Sequence, residues 1–221
     1  MAKPIQAVIF DLDGLLVDSE IVWNDVRSDI AEQRGVRWNA DDHQAVMGVS
    51  TAEWAAYMIR RLKLELTAAE VEELVVSRMI ASYHQEIPFK PGAVELVKRA
   101  AAHYPLGLAS GSVRSLIDIV VDSPEFAGLF RVAVSADEVG RGKPSPDVYL
   151  ETADRMGVPP QACVCLEDSG HGIEAGKAAG MRVIAVPDPR FSPGSAMLAR
   201  ADVVVASLGE VTLGMLSGDG G

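Results

Sequence analysis

Two aspartates one residue apart, Asp11 and Asp13, stand where the apolar run Ala7-Val8-Ile9-Phe10 stops abruptly. An unbroken apolar run of this length is the pattern of a strand covered on both faces in a parallel sheet. In open α/β sheets, ligands bind beyond the carboxyl ends of the strands, near the point where strand order reverses. The end of the first strand is therefore where a site belongs. Gly14 then gives the chain the freedom to turn sharply away. By themselves, two acids after a strand also suit a solvated turn or a helix cap.

Three further features fall at the ends of later apolar runs: Ser110-Gly111-Ser112 after Leu106 to Ala109, Lys143-Pro144 after a run at 132–134, and Glu167-Asp168 after Ala162 to Leu166. Each has a local explanation. The serines suit helix caps, Lys143 an exposed side chain before proline, and Asp168 an N-cap. Turns and caps do not, however, predict matching groups at other strand ends. Two acidic pairs converging on one crevice repel each other unless a cation lies between them, and carboxylates with a backbone carbonyl suit octahedral Mg²⁺. Phosphoryl chemistry fits such a rim. Mg²⁺ offsets repulsion between an anionic nucleophile and a phosphate, Lys143 adds positive charge, and Ser110 with the amides of Gly111 and Ser112 can hold phosphate oxygens at a helix start. A carboxylate can then attack phosphorus to give an aspartyl phosphate.

The elements that must position these groups change character twice along the chain. After Ser19, Val22, Val26 and Ile30 recur at helical spacing, with Gly35 placed to end the helix. Thr51 is placed to cap a helix carrying Trp54, Met58 and Leu62, and Thr67 with Glu70 forms a capping box ahead of Val71, Leu74, Val75 and Met79. From Phe89-Lys90-Pro91-Gly92 onward, helices alternate with short apolar runs. These are a helix over 92–103, one after Ser112, one beginning at Pro146 and one ending at Gly180, with further strands at 182–186 and 203–205. Such alternation implies parallel pairing with right-handed crossovers, a doubly wound Rossmann-like α/β sheet. The expected organisation is an α/β core of residues 1–18 and 88–221 interrupted by an α-helical cap of residues 19–87. A helical insertion leaving the end of the first strand is placed as a lid over the site. Gly172, Gly176 and Gly180 suit close helix–sheet packing, with Gly180 as a C-cap. The tail from Ser217 to Gly221 is expected to fray.

Composition narrows the function classes. The 221 residues are 48% hydrophobic and 23% charged, ordinary for a globular chain, and the formal charge of −11 opposes a general nucleic-acid or anionic-membrane surface. Cys163 and Cys165, the only cysteines, lie at i, i+2 in an apolar run, which puts both on one strand face as buried free thiols in a reducing compartment. No stretch approaches a membrane span, and the start lacks an apolar signal region. The expectation is a cytoplasmic protein, monomeric or weakly homodimeric, acting on a small phosphorylated metabolite.

FDLDGLLVDSE, LASGS, KPSPDVY and LEDSGHGIEAGKAAGM resemble, in order, the four motifs of the haloacid dehalogenase superfamily of phosphohydrolases, in the subfamily with an α-helical cap. The resemblance covers nearly the whole chain. It implies Asp11 as nucleophile and Asp13 as general acid/base, which would protonate the leaving alcohol and later deprotonate the attacking water. It also implies Mg²⁺ held by Asp11, the Asp13 carbonyl and Asp168, with Glu167 a ligand or a neighbour through water. Ser110, Gly111 and Lys143 would bind the transferring phosphoryl group, with Lys143 also pairing with Asp11.

Phosphoglucomutases of this superfamily that resemble the chain carry a histidine and a basic residue where Trp23 and Thr51 stand here. Neither replacement supplies charge for a second phosphate, so hydrolysis is favoured over transfer. The segment from Leu15 to Glu20, followed by Trp23, looks most like bacterial sugar- and polyol-phosphate phosphatases, such as those acting on 2-deoxyglucose 6-phosphate or hexitol phosphates. Ser19, Glu20, Trp23, Met47 and Ser50 are the lid-side substrate candidates, with Trp23 equally suited to packing between cap helices. A phosphate-accepting receiver switch shares an acidic cluster and a lysine on such a sheet, but needs neither the insertion nor Asp13. A dehalogenase proper is opposed by Asp13 and the metal acids, and an inactive binding protein by the intact motifs.

Overall fold

The computed structural model describes residues 4–46 and 51–218. Its six strands are β1 (Ala7–Phe10), β2 (Leu106–Ser110), β3 (Phe130–Ser135), β4 (Cys163–Glu167), β5 (Arg182–Ala185) and β6 (Val203–Val204). All pair in parallel, in the order β3-β2-β1-β4-β5-β6. Strand order reverses between β1 and β4, so the switch point lies at the end of the first strand. The central strands β1, β2 and β4 are buried at every residue, as expected where helices cover both faces.

The helices of the insertion are α1 (Ser19–Glu32), α2 (Ala40–Val46), α3 (Thr51–Leu62) and α4 (Ala68–Gln85). Those of the core are α5 (Ala93–Ala101), α6 (Arg114–Val121), α7 (Asp147–Met156), α8 (Gly170–Ala178), α9 (Ser195–Leu198) and α10 (Leu213–Ser217). On one sheet face Ala7, Ile9, Cys163, Cys165 and Val183 join Tyr149, Ala153 and Met156 of α7 and Ile173 and Ala175 of α8 in one buried cluster. Both cysteines are buried free thiols on that face. A Cβ at Gly176 would come within 2.5 Å of Cys165 Sγ, so glycine there lets α8 lie close on β4. No helix among the described residues is long and apolar enough to cross a membrane.

Boundaries differ from expectation at the periphery. Strand β3 runs longer than 132–134 because it is an edge strand. Its partly exposed residues, Arg131 among them, break the apolar run that marks a central strand. Helix α7 starts one residue later than expected, with Pro146 as its N-cap. Ser217 belongs to α10, where the Thr212 side chain caps the Met215 N–H at 3.2 Å and Leu216 is buried. Residues 219–221 lie outside the described residues.

The chain forms two compact units, Met1–Asp18 with Pro88–Gly221, and Ser19–Ile87. The second contains no strand among its described residues. Val22, Val26 and Ile30 of α1 are buried, and α4 opens on a capping box in which Thr67 and Glu70 satisfy each other's backbone N–H groups. Asp42 of α2 accepts from Arg61 Nε and Tyr57 Oη of α3, each at 2.7 Å, tying those two helices together.

Candidate active site

After β1 the chain folds tightly on itself, with the Leu16 and Val17 N–H groups both returning to the Leu12 carbonyl at 3.0 Å. Buried Leu12, Leu15 and Leu16 anchor this turn. Asp11 and Asp13 are thereby left at the rim of the sheet. Gly14 is required twice over: its φ is +82°, and a Cβ there would lie 2.1 Å from Asp168 Oδ2. Only glycine adopts that backbone cheaply while admitting a carboxylate so close.

Lys143 reaches the same place from the loop after β3. Its Nζ donates to Asp11 Oδ1 at 2.5 Å, Glu167 Oε1 at 2.6 Å and the Ala109 carbonyl at 3.0 Å. Burial alone would lower the ammonium pKa, but Asp11 and Glu167 outweigh it and hold Lys143 above its ordinary value. Burial also pushes the Asp11 carboxyl well above the usual carboxylate range, with Glu167, Asp168 and Asp13 adding repulsion that Lys143 only partly offsets. Asp168 is pushed up to about 7, by burial first and then by Glu167. One ammonium thus faces a crowd of acids.

Glu167 is fully buried, and its bonds are already assigned. Tyr149 Oη donates to Oε1 at 2.6 Å, while Ser169 donates to Oε2 through Oγ at 3.1 Å and N–H at 3.4 Å. Burial and the neighbouring Glu167 raise the Tyr149 phenol well above its ordinary value, keeping it a donor. Gly172, expected as a helix–sheet packing residue, does bring α8 close to β4, at the side chain of Glu167. A Cβ there would fall 1.8 Å from Glu167 Cδ, so its missing side chain is the notch that holds this carboxylate. Glu167, expected as a metal ligand or a neighbour through water, is thus bonded to Lys143, Tyr149 and Ser169 while standing beside Asp11 and Asp168.

An oxygen from each of Asp11, Glu167 and Asp168 lies within 4.8 Å of the others, and Asp168 Oδ1 is buried with no hydrogen-bond partner. A buried, unpartnered carboxylate oxygen beside Asp11 is costly unless a cation completes it. These hard oxygen donors fit Mg²⁺.

Ser110 and Ser112 do not cap α6, whose N-cap is Val113 with no side-chain cap. Both hydroxyls donate to Asp13 Oδ2, each at 2.8 Å. The Ser112 N–H, expected as a phosphate donor, is taken by Ser110 Oγ at 2.9 Å. Gly111 is exposed, with nothing beyond its chain neighbours within 4 Å of where a Cβ would stand. The sequence reasoning thus placed Asp11, Asp13, Ser110, Gly111, Lys143, Glu167 and Asp168 around one rim, and it missed Tyr149, Ser169 and the Ser112 hydroxyl. Tyr149 had a signal: it lies within KPSPDVY, on the first turns of a helix whose buried phenol must find a partner.

In the helical unit, buried Ser19 starts α1. Trp23 packs at 6.1 Å against Trp54, and the Arg27 guanidinium lies 5.0 Å from the Trp23 ring and 5.4 Å from the Trp54 ring. Glu20 faces His43 Nε2 at 3.9 Å. Met47 and Ser50, and the side chain of Thr51, lie outside the described residues.

A family model for haloacid dehalogenase-like hydrolases matches residues 5–180. Hexitol phosphatase B of Escherichia coli K12 is 36% identical over 95% of this chain and 96% of its own. The bifunctional riboflavin kinase/FMN phosphatase of Arabidopsis thaliana is 32% identical over 96% of this chain, which spans 56% of that longer protein. In structure, CbbY from Rhodobacter sphaeroides, solved with phosphate, superposes with a TM-score of 0.83 at 27% identity over 96% of this chain and 99% of its own. With its motif acids gathered on one rim of a doubly wound sheet, the chain belongs to the haloacid dehalogenase-like hydrolase family.

Proposed function

We propose that this enzyme is a Mg²⁺-dependent phosphomonoesterase that hydrolyses a small phosphorylated metabolite, a sugar or polyol phosphate, through an aspartyl phosphate on Asp11. The observation that carries the proposal is Asp11 Oδ1 held by Lys143 Nζ beside the buried, unpartnered Asp168 oxygen. Asp11, the Asp13 carbonyl and Asp168 would hold Mg²⁺, which supplies positive charge against the phosphate's oxygens when bound. An Asp11 oxygen forms a bond to phosphorus as the ester P–O bond breaks, and Asp13 gives its proton to the departing alkoxide. Asp13 then takes a proton from water as that water's oxygen attacks phosphorus. The Asp11–phosphorus bond breaks and inorganic phosphate leaves. Lys143 keeps Asp11 oriented and meets the phosphoryl oxygens, with Ser110 and Gly111 as further donors.

The names of the relatives support phosphomonoester hydrolysis, and the hexitol phosphatase supports a polyol or sugar ester. Substrate choice is assigned to the helical unit. The test is phosphate release from sorbitol 6-phosphate, fructose 1-phosphate and 2-deoxyglucose 6-phosphate, with and without Mg²⁺, by the wild type and Asp11→Asn. Multiple turnover is expected only with Mg²⁺, and Asp11→Asn should lose it by about 10³-fold or more. Wild-type rates in the variant, or a single stoichiometric phosphorylation without release, would contradict the proposal.

A further inference from the structure

Asp13 is held by hydroxyls. Ser110 Oγ and Ser112 Oγ converge on the same atom, Oδ2, each at 2.8 Å, while no hydrogen bond from a described residue reaches Oδ1. The two serines are not equivalent. Ser110 Oγ also accepts the Ser112 N–H at 2.9 Å. Ser112 is fixed from behind, because buried Ser135 donates its hydroxyl to the Ser112 carbonyl at 2.7 Å. Ser135 is the register partner of Ser110 on the neighbouring strand, and its own Oγ accepts the Asp137 N–H at 3.1 Å. A line of hydrogen bonds therefore runs from the turn after β3 through Ser135 and Ser112 to one oxygen of Asp13. Turning the Asp13 carboxylate would break two bonds at once.

We infer that Ser112 is a positioning residue for proton transfer: its hydroxyl locks the Asp13 carboxylate so that Oδ1 is the oxygen that gives and takes the proton. The inference rests on the acid/base role proposed above for Asp13. When the ester P–O bond breaks, the proton on Oδ1 passes to the alkoxide oxygen. In the second half reaction Oδ1 receives the proton of the water whose oxygen bonds to phosphorus. Oδ2 keeps the Ser112 bond throughout, while the Ser110 hydroxyl is free to turn to the phosphoryl oxygens. A residue that only held phosphate would serve every ester alike, whereas one that aims the acid matters in proportion to how much the leaving group needs a proton.

The experiment compares Ser112→Ala and Ser112→Thr with wild type on two esters: p-nitrophenyl phosphate, whose phenolate leaves without much help, and whichever of sorbitol 6-phosphate, fructose 1-phosphate and 2-deoxyglucose 6-phosphate turns over fastest. Ser112→Ala should lower kcat/KM, which reports the steps up to ester cleavage and not the shared hydrolysis of the aspartyl phosphate, by about 10- to 100-fold on the alkyl ester and by less than about 3-fold on p-nitrophenyl phosphate, with Ser112→Thr restoring most of the difference. Equal losses of kcat/KM on both esters would overturn the inference, and a melting curve for each variant separates that result from misfolding. Asp13→Asn run alongside separates the layers. If it spares the alkyl ester, the acid role itself fails. If it abolishes alkyl-ester turnover while Ser112→Ala shows no discrimination, only the serine lock fails. A wild type inert on every ester overturns the reading beneath both.

Discussion

At the scale of single residues, the chemistry depends on where side chains are absent as much as on where they are present. Gly172 and Gly14 each leave room for a carboxylate, Glu167 and Asp168 respectively. Gly172→Ala should therefore push Glu167 off Lys143 and lower stability by about 1–3 kcal/mol, as overpacking of a closed site does. Gly194→Ala, with no atom near its Cβ position, should stay within about 0.5 kcal/mol in the same denaturant titration. Equal stabilities for the two variants would show that the notch is not tight. The groups proposed to react were legible in the sequence because each lies in a short motif beside a strand end. The supports were not. The glycine spacing at 172, 176 and 180 looks periodic in sequence, and only folding shows that one of the three meets the sheet at a carboxylate.

At the scale of elements, the two segments joining the core to the helical insertion are fastened to the core itself. The Asp18 N–H donates to the Pro88 carbonyl at 2.8 Å and the Lys90 N–H to the Leu16 carbonyl at 2.9 Å, while Phe89 stacks edge-on against Phe126 at 4.8 Å. Arg190 grips both Asp18 oxygens at 2.8 Å and Asp188 Oδ2 at 2.6 Å, and Asp188 in turn takes Lys90 Nζ at 2.6 Å. One loop after β5 thus pins both joining segments. No sequence pattern announces this, since Arg190 and Asp18 are 172 residues apart. Arg190 and Lys90 hold the Asp188 carboxyl well below the usual carboxylate range. A depressed folded pKa contributes stability that is fully present above the unfolded value, about 3.9, and is lost as pH falls through the folded one. Asp188→Asn should therefore cost about 2 kcal/mol at neutral pH, and the gap from wild type should close on acidification below about pH 4. A gap independent of pH would show that the pair carries no such linkage.

At the scale of the whole molecule, a parallel sheet turns scattered motifs into one site, because all its strands end on the same edge. That is why the doubly wound architecture and the convergence of four motifs could be read from residue order, while the full extent of the edge strand β3 and the short helices α9 and α10 could not: partly exposed elements lack the apolar periodicity that marks a buried one. The formal charge of the chain is −11, and in the proposed function the site would meet phosphate through Lys143, local donors and the proposed metal. The central claim is that the phosphoryl group rests on Asp11. It is tested by quenching the enzyme in acid during turnover with Mg²⁺ and its best substrate, reducing the acyl phosphate with borohydride, and locating the resulting homoserine by peptide mass spectrometry. The account predicts conversion at position 11, absent without substrate and absent in Asp11→Asn. Conversion at Asp13 or Asp168 instead, or steady turnover with no trapped carboxylate, would contradict it.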